Sequence, residues 1–177
     1  MASRFDSWQY PNLEEGKLSK YNWIVQHIDG LQLGYKTDIG AFSYINAKNG
    51  VTLEENVQLG SHCSIYSVST IDNKVGPVIL KANCCIGSHS TVMPNVVVGE
   101  NTIVGANSFI NKSLPANCIA VGCPAKIIKI KNKRGQWANP RVEWLKNYGS
   151  KIMAQKLNAL KKLFFWVRKM IILRKRP

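Results

Sequence analysis

From Leu80 onward an aliphatic residue recurs at every sixth position: Leu80, Ile86, Val92, Val98, Val104 and Ile110. Glycine follows it in Ile86-Gly87, Val98-Gly99 and Val104-Gly105. Four positions after it stands a small or β-branched residue, as at Cys84, Ser90, Val96, Thr102 and Ser108. The same phase runs earlier through Leu53, Leu59 and Ile65, and earlier still through Leu33, Ile39 and Ile45. Period six fits neither a 3.6-residue helix nor a lone alternating strand. It fits a chain wound as a three-sided prism, with one short strand per side and a turn at each corner. The aliphatic residue fills the interior, and the glycine after it permits the tight corner. Coils stack at the ordinary strand spacing of about 4.8 Å, so residues 33–121 predict roughly five coils and a prism about 24 Å tall.

Two interruptions break the rhythm. Ile45 to Leu53 is eight residues instead of six, which places two extra around residues 46–50. Ile65 to Leu80 is fifteen, so the stretch Thr70-Ile-Asp-Asn-Lys-Val-Gly-Pro77 is expected to leave the prism as a loop. That excess sets the register: Leu53 under Leu80, Leu59 under Ile86, Ile65 under Val92. His62 then falls directly below His89 on one corner, with Asn107 above them. A regular scaffold that ejects a polar loop is where function is expected.

The ends follow other rules. Residues 1–32 lack the hexad and hold Trp8, Tyr10, Tyr21 and Trp23. They are expected to cap the open lower end of the prism and cover its strand edges. Past Pro140 the apolar residues recur at three and four positions, through Leu145, Tyr148, Ile152, Met153, Leu157, Leu160, Phe164, Val167 and Ile171. This marks an amphipathic α-helix. The reading is therefore a cap over 1–32, a prism over 33–130 and a helical extension over 131–177.

Charge separates the same parts. Of 24 Lys+Arg and 10 Asp+Glu in 177 residues, residues 1–125 hold 8 and 9, and residues 126–177 hold 16 and a single acid, Glu143. The body therefore offers no basic surface to nucleic acid. The basic helix, with Phe164, Phe165 and Trp166 near its apolar face, suits an anionic membrane surface better than packing on a neighbouring subunit. The longest apolar run, residues 163–173, is split by Arg168-Lys169, so no spanning helix is expected. The first residues lack the apolar core of a secretory signal, which predicts a cytoplasmic protein, peripheral at the inner face of the plasma membrane through its helix. Five cysteines with no C-x-x-C spacing read as small buried hydrophobes in a reducing compartment, with no metal.

The hexads, followed by Val104-Gly-Ala-Asn-Ser-Phe-Ile-Asn-Lys-Ser-Leu-Pro-Ala-Asn and by Val121-Gly-Cys-Pro-Ala-Lys-Ile-Ile-Lys, resemble the hexapeptide-repeat acyltransferases. The likeness covers residues 33–130 and is strongest to the sugar acetyltransferases of that family. It implies an all-β fold, a left-handed parallel β-helix, assembled as a homotrimer that takes acetyl-coenzyme A as cosubstrate. Coenzyme A would lie in a groove between neighbouring prisms. The positions that match its binding residues are Ser88, Ala106 and Asn111, with Lys126 and Lys129 toward the nucleotide phosphates. Flexible point charges suit that last task.

The family's catalytic histidine lies in the loop that follows the Ile65-type hexad, and the matching residue here is Thr70. Threonine cannot serve as the base. Asp72 is close by and could orient an acceptor. His62 is the better-placed remaining candidate for a base, and His89, on the same corner, is a weaker candidate that would face the substrate. Asn46 matches a family asparagine that contacts the acyl group or the acceptor, and a side-chain amide can donate to a developing oxyanion. The same Asn46 could equally serve the turn at 46–50. Attack by a hydroxyl on a thioester needs a base, whereas attack by an amine needs only that the amine be neutral. The missing loop histidine therefore favours acetyl transfer to the amino group of a nucleotide-linked amino sugar. O-acetylation with His62 as base is the alternative, and a β-helix scaffold without catalysis is the alternative outside enzymology.

Overall fold

The computed structural model describes residues 8–132 and 135–140. The predicted helix past Pro140, and the membrane contact assigned to it, lie outside the described residues. Apart from a short 3-10 turn at Ile28–Gly30, residues 8–132 are strand and turn. Among the described residues no helix is long and apolar enough to cross a membrane.

Five coils are wound in succession. The first holds β1 (Ile24–Gln26), β2 (Leu31–Leu33) and β3 (Asp38–Ile39), and the second β4 (Tyr44–Asn46), β5 (Val51–Leu53) and β6 (Gln58–Leu59). The third holds β7 (Ser64–Tyr66), β8 (Val78–Leu80) and β9 (Cys85–Ile86). The fourth holds β10 (Thr91–Val92), β11 (Val97–Val98) and β12 (Ile103–Val104). The fifth starts at β13 (Phe109–Ile110), passes a bridge at Leu114, and ends in β14 (Cys118–Val121). From there the chain reverses into β15 (Lys126–Lys131), antiparallel to β14.

Strands of successive coils pair in parallel and form three faces. The first face runs β1-β4-β7-β10-β13, the second β2-β5-β8-β11, and the third β3-β6-β9-β12-β14 with β15 on top. This is a parallel β-solenoid. The residue pairs Leu53↔Leu80, Leu59↔Ile86 and Ile65↔Val92 give the register that the nine-residue excess requires. The coil begins earlier than the hexads, because β1 already pairs with β4 through Val25↔Ile45. Val25 to Leu33 is again eight residues, the same expanded spacing as Ile45 to Leu53. The 3-10 turn absorbs the two extra residues in the first coil.

Each face sends one column of side chains inward. Val25, Ile45, Ile65, Val92 and Ile110 form the first column, and Leu33, Leu53, Leu80, Val98 and Leu114 the second. Ile39, Leu59, Ile86, Val104 and Ala120 form the third. All but Leu33 are buried. The small residue four positions later stitches coils at the corners. Ser90 Oγ donates to the Gly105 carbonyl at 3.2 Å and accepts the Ser108 N–H at 3.2 Å, and Ser43 Oγ likewise links Gly60 and Cys63. No buried side-chain nitrogen or oxygen among the described residues lacks a partner.

Cys63, Cys84 and Cys118 are buried, and burial pushes the Cys84 thiol up to about 12. Its thiolate is suppressed at neutral pH, as expected for a packing residue.

The columns yield a stability prediction. Leu80→Ala should cost about 2–5 kcal/mol, because the fully buried site sits between Leu53 and Val98 and cannot collapse without shifting a coil. Ile79→Ala, on the same strand but half-exposed, should cost much less. Denaturant midpoints of the two variants check this.

Candidate active site

Three corners join the faces, and they differ in chemistry. The turns Gly40–Ser43, Gly60–Cys63, Gly87–Ser90 and Gly105–Ser108 make what is here termed the histidine corner. The first three open on glycine because the next coil's backbone presses against it: a methyl at Gly60 would lie 2.5 Å from the Ser88 nitrogen, and one at Gly87 2.4 Å from the Ala106 nitrogen; at Gly105 the Val121 side chain does so instead. The third residue of each turn is left-handed: Phe42 at φ 62°, His62 at 58°, His89 at 59° and Asn107 at 55°. Its N–H reaches the coil below, from His62 to the Ala41 carbonyl, from His89 to that of Ser61, and from Asn107 to that of Ser88, each 2.9 Å.

This repeated bond aligns the side chains as well. The His62 and His89 rings stack with centroids 4.6 Å apart and planes 12° from parallel. Phe42 lies below His62 at 5.1 Å, tilted by 38°. All three are exposed.

The chain returns over the top of this same corner after β14. Gly122 donates to Ser108 Oγ at 3.1 Å, Phe109 donates to the Gly122 carbonyl at 3.0 Å, and Ala125 donates to the Phe109 carbonyl at 2.8 Å. The Cys123–Pro124 peptide in this turn is cis. The turn delivers Lys126 into β15, exposed and paired with Val121. Ser88, beside His89, and Ala106, one coil higher, thus lie on one edge, and the turn that leads to Lys126 closes over it. Lys129 is exposed on the outward side of β15, opposite Ile119 on the third face. The small side chains of Ser88 and Ala106 leave main chain open along the edge, and Lys126 and Lys129 supply positive charge at its top. These residues fit an extended thioester cosubstrate that ends in phosphates.

Asn111 is elsewhere. It follows β13 and falls in the column of Asn46, Tyr66 and Met93, at the corner between the first and second faces. The ejected loop leaves from that corner. It is a hairpin: Val68 and Val75 bridge antiparallel, and Ser69 donates to the Lys74 carbonyl at 2.8 Å. Its tip carries Ile71, 96% exposed, and Asn73 in the left-handed region. Thr70 is exposed on this hairpin. Asp72 pairs with the Lys74 ammonium at 2.8 Å, and that contact, helped by Ser69, holds its carboxyl down at about 2. So low a value makes Asp72 a very weak base.

Asn46 is half-buried at the end of β4. Its Oδ1 accepts the Lys48 N–H at 3.2 Å, which serves the turn, and its Nδ2 donates weakly to the Tyr44 hydroxyl at 3.5 Å. Tyr44 in turn donates to Gln26 Oε1 and lies 5.6 Å from the Tyr66 ring. Sequence reasoning missed this cluster of Gln26, Tyr44 and Tyr66. Its signal was the outward position on either side of buried Ile45 in Tyr44-Ile45-Asn46. His62 and Asn46 do not meet within one chain. They lie at opposite ends of the first face, about 13 Å apart at the rise of an extended strand.

Among the described residues no group of three or more His, Cys, Asp or Glu could hold a metal. The third corner holds Lys36 in the first coil and then Asn56, Asn83, Asn101 and Asn117, all left-handed, with amide-to-amide bonds in the pairs Asn56–Asn83 and Asn101–Asn117.

Residues 77–112 match the family described as bacterial transferase hexapeptide (six repeats). That stretch, β8 to β13, is built of hexapeptide repeats. The chain is 31% identical over 112 residues to "Putative colanic acid biosynthesis acetyltransferase WcaF" of Escherichia coli (strain K12), a match covering 63% of this chain and 57% of that relative. The chain therefore spans little more than half the length of this curated relative. Its fold is that of a hexapeptide-repeat containing acetyltransferase of Vibrio cholerae O1 biovar eltor complexed with acetyl coenzyme A. The two are 20% identical with a TM-score of 0.59, over 63% of this chain and 66% of the other. The same fold is found in a point mutant of AntD, an N-acyltransferase from Bacillus cereus, in complex with dTDP and coenzyme A. That likeness has 23% identity and a TM-score of 0.54, over 76% and 86% of the chains.

The hairpin gives a titration prediction. The Asp72 carboxyl should titrate near 2 and rise toward its ordinary 3.8 in Lys74→Ala, followed by carbon NMR of the side chain. Because the folded value is lowered, the pair contributes stability above about pH 4, and that contribution is lost as the pH falls through 2.

Proposed function

We propose that the chain is a coenzyme A-dependent acetyltransferase acting on the amino group of a nucleotide-linked amino sugar in surface polysaccharide biosynthesis. Acetyl-coenzyme A supplies the activated acyl group. Ser88, Ala106 and the Gly122–Ala125 turn bind its extended arm along the histidine corner, with Lys126 and Lys129 at the phosphates and Asn111 nearer the loop corner. The observation that carries the amine reading is the hairpin: Thr70 stands where a base would be, and the only carboxylate on it is neutralised by Lys74.

An amine that arrives neutral needs no base to attack, and its proton leaves afterwards to solvent or to His62. Asn46 and Tyr44 present an amide and a hydroxyl to the acceptor, with Asp72 beside them on the loop and His89 facing the substrate from the stacked pair. Asn46 lies far from His62 in one chain, so the two address one reaction centre across a cleft between protomers. A homotrimer of left-handed prisms, as the resemblance implies, provides that cleft. The proposed organisation is an N-terminal cap shorter than residues 1–32, a prism that already begins at β1, and a basic extension. The extension would hold the enzyme at an anionic membrane surface on the cytoplasmic side, where lipid-linked glycans are built.

The stacked histidines favour a second reading, sugar O-acetylation with His62 as general base. An imidazole within reach of an acceptor hydroxyl can take its proton as the acyl group is transferred, and the stacked pair offers two on one exposed corner. The two readings separate in one screen. Thiol release from acetyl-coenzyme A is followed over amino and neutral nucleotide sugars with the wild type and His62→Ala. Amine transfer predicts turnover of amino sugars alone and a His62→Ala rate within about tenfold of wild type. A loss of 100-fold or more on that substitution is the signature of general-base catalysis and supports O-acetylation. A scaffold gives no heat with acetyl-coenzyme A in calorimetry.

A further inference from the structure

The lower end of the histidine corner carries a feature that neither cosubstrate binding nor acetyl transfer uses. Phe42 holds the left-handed position that Asn22, His62, His89 and Asn107 hold on neighbouring coils. Asparagine and histidine tolerate that conformation, and a bulky ring does so at a cost. Phe42 is nonetheless 61% exposed, so burial does not repay its presence. Its N–H bonds to the Asn22 carbonyl of the coil below, next to Tyr21, which is 53% exposed.

Tyr21 sits on a built turn. Ser19 Oγ accepts the N–H groups of Tyr21 and Trp23, each at 3.3 Å, and the Asn22 N–H bonds to the Ser19 carbonyl at 2.9 Å. The Lys20 ammonium lies 5.9 Å from the Tyr21 ring centroid. The corner therefore presents, below the histidines, two exposed aromatic rings and one cation.

We propose that Lys20, Tyr21 and Phe42 form the subsite for the nucleoside diphosphate of the acceptor. The inference rests on the acetyltransferase reading and names the site of its substrate's nucleotide. A base has a flat π-face that stacks on an aromatic ring whatever its identity, and a diphosphate seeks an ammonium. Position adds a constraint. The cosubstrate's phosphates belong at Lys126 above the histidines, so a nucleotide held at Phe42 enters from the opposite end. Phe42 also touches His62, ring centroids 5.1 Å apart, so a nucleotide seated there adjoins the stacked histidines from below. Both rings and the cation lie on the edge that the small residues Ser88 and Ala106 continue upward, and not on the asparagine corner.

The test uses the full chain with coenzyme A held saturating, so that its own nucleotide subsite is filled. UDP and dTDP are titrated by calorimetry into wild type, Phe42→Asn, Tyr21→Ser and Lys20→Gln. Asparagine suits the left-handed position, so Phe42→Asn keeps the turn and removes only the ring. Nucleotide affinity should fall at least tenfold in Phe42→Asn and Tyr21→Ser and severalfold in Lys20→Gln, with acetyl-coenzyme A affinity unchanged. Equal nucleotide binding in all four proteins, or none in wild type, overturns the subsite. A change of sedimentation coefficient in the ring variants with unchanged nucleotide affinity also overturns it and assigns the patch to contact between copies. Wild type that fails to bind acetyl-coenzyme A sinks the acetyltransferase reading instead, and the nucleotide titration without coenzyme A then decides the subsite by itself.

Discussion

The structure depends on one constraint: each coil must satisfy its backbone hydrogen bonds on the coil above and the coil below, in register. A short strand of two or three residues has little stability alone, and these strands gain it by parallel stacking. The aliphatic columns fix which register is chosen. A slip of one residue would turn Ile45, Ile65 and Val92 outward and bury Tyr44, Ser64 and Thr91 in their place. Because the register is fixed, any two residues one coil apart on a corner are held a strand spacing apart. The stacked imidazoles are a consequence of the core, since the bond from His89 to Ser61 is part of the same ladder that pairs Ile65 with Val92.

That dependence explains how far the sequence could be read. The hexad fixes coil length, and arithmetic on the two interruptions places His62 under His89 before any coordinates are known. The prism's start was less visible, because Val25 to Leu33 carries the expanded spacing and Trp23 obscures the aliphatic rhythm. The site was readable only along the corners. Ser88 and Ala106 fall on one edge because they share a phase, whereas Asn111 shares the phase of Asn46 and goes to the other end of the first face; Lys126 lies beyond the reversal into β15, where the hexad no longer applies. The hairpin's internal structure had no periodic signal. The Asp72–Lys74 pair depends on a two-residue spacing across a turn, which sequence pattern does not distinguish from a solvated pair.

The corners share a backbone and diverge in side chains, which separates structural from chemical roles. Both the asparagine and histidine corners need a left-handed residue in every coil. At the first, asparagine fills the position in four coils and its amide bonds to its neighbour, so conformation and side chain point to the same role. At the second, the same position holds a phenylalanine, two histidines and two asparagines, Asn22 and Asn107. Local preference alone would choose asparagine throughout. Sites where a chain departs from its own local rule are where another requirement outweighs it. The histidine corner departs, and it is also the corner that the cis-proline turn covers from above.

The loop corner completes the contrast. A hairpin that projects from a rigid prism can bring a functional group far from its own coil, and a base at its tip would need a carboxylate or imidazole free to take a proton. This hairpin instead spends its carboxylate on Lys74 and exposes an isoleucine at the tip. Its ion pair rigidifies the turn and removes the proton-accepting role in the same contact. What remains on the loop side is neutral: the Tyr44 hydroxyl, the Asn46 amide and Gln26, linked to one another. A neutral, hydrogen-bonding wall can orient an acceptor without deprotonating it. Such a wall can hold a polar ligand by hydrogen bonds, and the stacked imidazoles stand apart from it at the far end of the face.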